Sequence, residues 1–369
     1  MTLRIQRLRA AAIVALTATA LAGCGSDDDT ATDAKPTTEA VESTTAAALA
    51  PIKTYLLDHT TRLVTATAEL SKQADEYAAL AESVGADKLL DDANREKTAK
   101  LVAGMQESWR AANPSYEEME GIVAGVPSLA SYDNILDAGS DGSDPENAVP
   151  FDLKYSDGTV LKKPGNYFFL TETSLWGSED KFVVKGTKAD LNGDGKVEYG
   201  EALPLPQHIA AAAKGMNDEA TKLDLDAKAW EPTDADVFNA VVVMTPTMAE
   251  YFEAWKNSRF VAGDKATEES FIGASRLIDI TGILQGIVVI YDAIEPTIAE
   301  DDAQTAEQTG ENLKSLLTYV EKLRDEEKDG RKFTAEQADT YGTEAQKRAE
   351  AIAGQVSQAA DALGIELEG

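Results

Sequence analysis

The chain has 369 residues, 43% of them hydrophobic, and 65 acidic against 34 basic side chains give a formal charge of −31. A surface this negative repels nucleic acid and anionic lipid and favours cations. A single cysteine excludes a disulfide within one chain, so the fold must rest on its core, for which about 325 residues after the N-terminal region are ample.

The first residues read as an export signal. Arg4, Arg7 and Arg9 make a basic start, and Ala10 to Ala22 run small and apolar without charge. That run is too short for a mature membrane span and has the length of a secretory hydrophobic region. It ends in Leu21-Ala22-Gly23-Cys24, which resembles the lipobox of bacterial lipoproteins. Residues 1–24 are therefore expected to be a cleaved signal. Cys24, the only thiol, is expected to carry a diacylglycerol that holds the chain to a lipid bilayer at the cell envelope, on the exported side. Residues 25–45 are Ser, Thr, Asp, Ala and Pro without apolar periodicity, and read as a flexible tether. Residues 46–369 then form the domain.

From residue 50 to 84, Ile52, Leu56, His59, Leu63, Ala66, Leu70, Ala74 and Tyr77 recur at steps of three and four, one face of an amphipathic helix that Gly85 ends. His59 on that apolar face reads as a packing residue. A second helix is expected over about 88–112, with Leu89, Leu101, Met105 and Trp109 inward. Pro114 interrupts it, and a third begins near Ser115. Residues 131–205 are rich in Gly, Asp, Pro and Asn and read as an irregular insertion. Within it, Asp137 to Glu146 form an acidic patch that could hold another cation but, without fixed ligand spacing, reads as a polar loop. The alternating run Phe151 to Tyr155, the turn Ser156-Asp157-Gly158 and Thr159-Val160-Leu161 predict a β-hairpin.

Helices return over 206–222 and 234–258, the second with Val237, Val241, Met244, Met248, Phe252 and Trp255 at helical spacing. His208, at the start of the first, reads as a helix-start residue. The apolar stretch 267–298 reads as a buried bundle helix because Arg276, Asp279 and its glycines are unsuited to a membrane span. Two further helices are expected over 303–328 and 334–363, with Thr334 as N-cap of the last. The expected fold is all-α, an up-and-down helical bundle with one irregular insertion that holds a small β-hairpin and a calcium loop.

That loop runs from 190 to 201. Asp190, Asn192, Asp194, Lys196, Glu198 and Glu201 occupy the ligand positions of an EF-hand loop, and Gly195 stands at its sharp turn. Calcium takes six to eight hard oxygens. Three side chains at alternate positions, the Lys196 carbonyl, Glu198 and a closing Glu201 would supply them. No second loop exists for Val197 to pair with, so a structural clamp is expected in place of a sensor.

Several segments, in order, resemble the imelysin-like family, which includes the EfeO and EfeM proteins of bacterial iron uptake. Tyr116-Glu117-Glu118-Met119-Glu120 is similar to the family's YxRIE. Phe169 to Trp176 (Phe-Leu-Thr-Glu-Thr-Ser-Leu-Trp) is similar to its HxxExxLW. Ser275 to Ile280, Tyr291 to Pro296 and Ala345 to Leu363 resemble its later helices. The resemblance implies a helical bundle and Glu120 and Glu172 as ligands of a second metal, possible iron included, with an iron permease as a possible partner. Phe169 stands where the family has the metal-binding histidine, and a phenyl ring cannot ligate. The chain also lacks GxSxG and HExxH, so no peptidase activity is expected. Two readings stay open: an envelope-anchored metal-binding component of iron uptake, and a calcium-stabilised structural or interaction lipoprotein without the family's metal site.

Overall fold

A computed structural model describes residues 38–186 and 189–367, with side chains from residue 47 onward. The expected signal, Cys24 and most of the expected tether lie outside the described residues. The remainder of the tether, from Thr38, belongs to the first helix.

The helices are α1 (Thr38–Val84), α2 (Arg95–Val123), α3 (Ala130–Asp133), α4 (Tyr167–Trp176), α5 (Pro206–Ala229), α6 (Asp234–Met244), α7 (Met248–Asn257), α8 (Arg259–Ala262), α9 (Arg276–Lys328) and α10 (Ala335–Leu363). α1 packs against α2 and α5, α2 against α9, and α10 against α7 and α9. The result is a helical bundle, as expected. The core is continuous through these faces, and Ile52, Leu56, Leu63, Leu70, Ala74 and Tyr77 of the predicted α1 stripe are all fully buried. One helix among the described residues, α9, is long and apolar enough to cross a membrane, but 67% of its apolar window is buried in the protein.

Four of the expected boundaries differ, each for a local reason. Pro114 does not end α2: its missing N–H falls opposite Arg110, an exposed residue, so the lost helical bond lies on the outer side of the helix. The expected helix 234–258 is two helices, because Pro246 forces a 3₁₀ turn over Thr245–Thr247. The expected helices 267–298 and 303–328 join as α9, broken only at Asp302 (φ −141°, ψ 91°), whose carboxylate accepts from the Gln304 and Thr305 amides and so caps the second half. α9 starts at Arg276 and not at 267, with Ser275 as N-cap, which leaves 266–275 as a non-helical strap. Thr334 caps α10 in a full capping box with Gln337.

The predicted hairpin is present as β1 (Asp152–Lys154) and β2 (Val160–Lys162), antiparallel, with Leu153 opposite Leu161. The rest of 131–205 is less peripheral than an irregular insertion. It contains α4, whose residues are buried except Phe169, and a π-helical turn, Asn134–Ala138, that continues α3.

Candidate metal centre

Four elements converge at the C-terminal end of α2. Glu117 and Glu120 lie three residues apart, on one face of that helix, and both are buried. Asp137 comes from the π-helical turn, a helix irregularity that recurs at functional sites. One carboxylate oxygen from each of Glu117, Glu120 and Asp137 lies within 4.8 Å of the others, the one such trio among the described residues. α9 brings Arg276 and Asp279, and α4 brings Glu172.

The close approach of α9 is set by small residues. A Cβ on Gly286 would stand 2.4 Å from the Glu118 carbonyl oxygen, so only glycine lets the two backbones meet there. That contact carries the first turn of α9 to Glu117. Asp279 suits the positive end of a helix, but Arg276 does not. Its guanidinium is held instead by acid: Nη1 donates to Glu117 at 3.5 Å and to Asp279 at 3.2 Å. It is sandwiched between the rings of Tyr251 and Phe271, at 4.4 and 4.3 Å. Asn113 bridges the same two acids, donating to Glu117 at 3.1 Å and to Asp279 at 3.0 Å.

Glu117, Glu120, Asp137 and Asp279 all act on Arg276, the one buried cation among the described residues. Burial works against the Arg276 charge, but those acids outweigh it and raise its pKa further. Burial, then Asp279, Asp137 and Glu120, push the Glu117 carboxyl well above the usual range against the pull of Arg276. Burial pushes Asp279 up to about 6. Tyr251 donates to Glu120 Oε1 at 2.9 Å, while Glu120 Oε2 is buried without a hydrogen-bond partner. Tyr116 donates to Asp133 at 2.8 Å. Converging inward carboxylates, one with an oxygen that has no partner among the described residues, have the chemistry of a hard-cation site.

A cavity of ≈ 30 Å³ lies beside the cluster, lined by Glu117, Asp137, Glu172, Trp109, Phe169 and Phe271 among others. That is room for an ion with little water. Glu172, expected as a ligand together with Glu120, lines this cavity, but its oxygens are already engaged. Oε1 accepts from the Ile272 and Gly273 amides at 3.0 and 2.9 Å, and Oε2 from the Phe271 amide at 2.9 Å. It latches the strap 266–275 over the cavity. Burial pushes Glu172 up to about 8, against the opposite pull of the three amides. The strap is also gripped from outside, where Ser178 donates to the Glu269 carbonyl at 2.7 Å and Tyr199 donates to the Ile272 carbonyl.

Neither histidine joins the cluster. His208 stacks on Phe182, its Nδ1 2.8 Å from the Tyr155 hydroxyl and its Nε2 3.1 Å from the Leu170 carbonyl; burial lowers its pKa to about 4. It is a core residue, not the partly exposed helix-start residue expected. His59 lies against Tyr55, with Nδ1 3.1 Å from Glu118 but outside hydrogen-bond geometry, and burial lowers it to about 4. Phe169, at the family's histidine position, packs edge-on to Phe182 and faces the cavity.

The loop 190–201 lies elsewhere, on the outer side of α2. Its carboxylates turn to its own amides. Asp190 accepts from Gly193, Asp194 and Gly195; Asn192 accepts from Asp194, and Asp194 from Lys196. Glu201 reaches back to Leu191, Asn192 and Glu198. Burial raises the Asp190 carboxyl, but its three amides and Arg95 outweigh that and hold it below the usual value. The loop is not framed by two helices. An antiparallel bridge between Val183 and Pro204 closes its base, and Arg95 of α2 donates to the Asp190 carbonyl.

The Imelysin (Peptidase_M75) family profile matches residues 51–359. The chain belongs to the imelysin family. No curated protein matches it. Among solved structures it is similar to a Parabacteroides distasonis ATCC 8503 protein described as an iron-regulated protein A precursor. The identity is 14% and the TM-score 0.50, over 88% of this chain and 96% of that one. At that identity the likeness shows the fold. In this imelysin chain the glutamate of the HxxE segment, Glu172, serves the strap, and the carboxylates that converge are Glu117, Glu120 and Asp137. The sequence pointed to Glu120 alone. The i, i+3 spacing of Glu117 and Glu120 was a visible signal, whereas Asp137 lay in a segment read as a plain polar loop.

Proposed function

We propose that this imelysin-family chain is an envelope-anchored binding protein that holds a hard cation, iron foremost, as cargo at Glu117, Glu120 and Asp137. The observation that carries this reading is the buried Oε2 of Glu120, without a hydrogen-bond partner among the described residues, in a trio with Glu117 and Asp137 whose carboxylate oxygens lie within 4.8 Å of one another. Hard oxygen donors suit iron, and imidazole is not required. The description of the similar Parabacteroides protein as iron-regulated agrees with that cargo. The anchor is a diacylglycerol on Cys24, and an iron permease is the partner that would take the cargo onward. Binding is favoured over peptidase chemistry because both histidines are engaged away from the carboxylates, while a zinc peptidase needs good ligands and a general base.

A second cation, calcium, belongs to this reading at Asp190, Asn192, Asp194, Lys196, Glu198 and Glu201. Its support is the ligand spacing together with a Glu201 that already folds back across the loop. Elemental analysis of the purified chain, followed by titration with ferric citrate in excess calcium, tests both. About one iron per chain, lost in Glu120→Gln, is expected. Iron content unchanged by that substitution would refute the centre. A chain that takes up calcium alone would favour the structural lipoprotein reading.

A further inference from the structure

We propose that Tyr251 is an additional ligand of the carboxylate centre, coordinating ferric iron through its phenolate oxygen and so selecting trivalent iron over divalent cations. The inference rests on the reading of Glu117, Glu120 and Asp137 as a cation site, and adds a residue and a charge state to it.

The geometry starts from one distance. The Tyr251 hydroxyl oxygen stands 2.9 Å from Glu120 Oε1. Two neighbouring oxygens on one octahedral cation, each about 2.0–2.1 Å from it, are about 2.9 Å apart. The phenol and the carboxylate therefore already stand at the spacing of two adjacent ligands. Tyr251 is fixed there: it is buried in α7, and the Arg276 guanidinium covers its ring at 4.4 Å. Glu120 keeps its second oxygen unpartnered, so a metal can engage the carboxylate without first breaking another contact.

The step is an exchange without redox change. Ferric iron near neutral pH carries hydroxide. An iron–oxygen bond forms to Tyr251, the phenolic O–H bond breaks, and the proton joins the departing hydroxide as water. Iron remains ferric throughout. Calcium and magnesium polarise a phenol too weakly to displace its proton at neutral pH, so for them Tyr251 stays a neutral neighbour. The three carboxylates favour higher charge, and Tyr251 adds a ligand open only to a cation acidic enough to displace the phenol proton.

The test uses the full chain loaded with ferric citrate in excess calcium. The expected result is a visible phenolate-to-ferric charge-transfer band, with tyrosinate modes in the resonance Raman spectrum. Both should vanish in Tyr251→Phe, with ferric affinity down by about 10–100-fold, as expected for loss of a directing group at a metal site. Manganese(II) affinity should stay unchanged, which also shows the variant folded. Iron that is bound without the band, or a band that survives in Tyr251→Phe, overturns the role of Tyr251. The Raman signature of the unmodified chain decides the first point even where the variant does not fold. Glu120→Gln separates this from failure of the centre: iron that persists there, coloured or not, lies elsewhere.

Discussion

The interior carboxylates and those of the loop 190–201 solve opposite problems. In the loop, most carboxylate oxygens accept from a backbone amide of the same loop, and residues 192–199 are exposed. In the interior, the carboxylates of Glu117, Glu120 and Asp137 crowd together, and Glu120 Oε2 has no partner among the described residues. The loop carries the ligand pattern without an unmet electrostatic demand. The interior carries the demand without a legible pattern. A cation entering the loop must displace amides, whereas one entering the interior relieves repulsion in a medium where charge is screened weakly.

The largest effect expected from breaking this contrast is at Glu120. Glu120→Gln should lower ferric affinity at least about 100-fold, because a ligating oxygen is removed from a desolvated site. The metal-free protein should at the same time hold or gain stability, by up to about 1 kcal/mol, because a buried like charge is removed while Tyr251 keeps an acceptor. Isothermal titration and thermal unfolding of the same sample read the two effects. A variant that loses both affinity and metal-free stability would show that Glu120 is structural.

The strap should respond next. Glu172→Ala leaves the amides of Phe271, Ile272 and Gly273 without their acceptor, and a loss of about 3 kcal/mol is expected in urea unfolding. Glu172→Gln retains one accepting oxygen and should lose less. A Glu172→Ala chain that unfolds at the midpoint of the unmodified protein would mean that the latch does not hold the strap.

Proton linkage gives a smaller but signed effect. Glu172 is raised to about 8 and Asp279 to about 6, so between the ordinary carboxylate range and about pH 8 the folded state binds more protons than the unfolded chain. Metal-free stability should therefore fall as pH rises from about 5 through 8. A bound cation should flatten the fall. Unfolding midpoints at pH 5, 6.5 and 8, with and without metal, check the sign; stability rising over that window would contradict it.

These contrasts also explain what could be read in advance. Helix periodicity found the faces of α1, α6 and α7 because burial alternates with turn geometry, and the Asp-Gly turn found the hairpin because backbone conformation is local. The breaks at Pro114 and Pro246 were misjudged because the cost of a proline depends on what lies opposite its missing N–H, which is a tertiary fact. The same limit applied to the site. Asp137 meets Glu117 and Glu120 only because α3 ends in a π-helical turn, and Glu172 is occupied only because a strap 100 residues onward returns to it. The EF-hand spacing was legible because its ligands are contiguous, yet contiguity alone did not bring its acids into one coordination shell.

The smallest effect belongs to that loop. Extracellular sites of this class bind calcium at about 10⁻⁴ to 10⁻³ M, so millimolar calcium adds only about 1 kcal/mol of stability through mass action. Glu201→Gln should abolish the calcium-induced rise in melting temperature and leave ferric binding in place. It retains one accepting oxygen for Leu191 and Asn192, so the calcium-free loop should stay closed at its base, where Val184 donates to the Leu203 carbonyl at 2.9 Å. The two regions meet where Tyr199 donates to the Ile272 carbonyl of the strap. If Glu201→Gln also speeds iron release into a chelator, the loop steadies the strap; if release is unchanged, the two cation sites act separately.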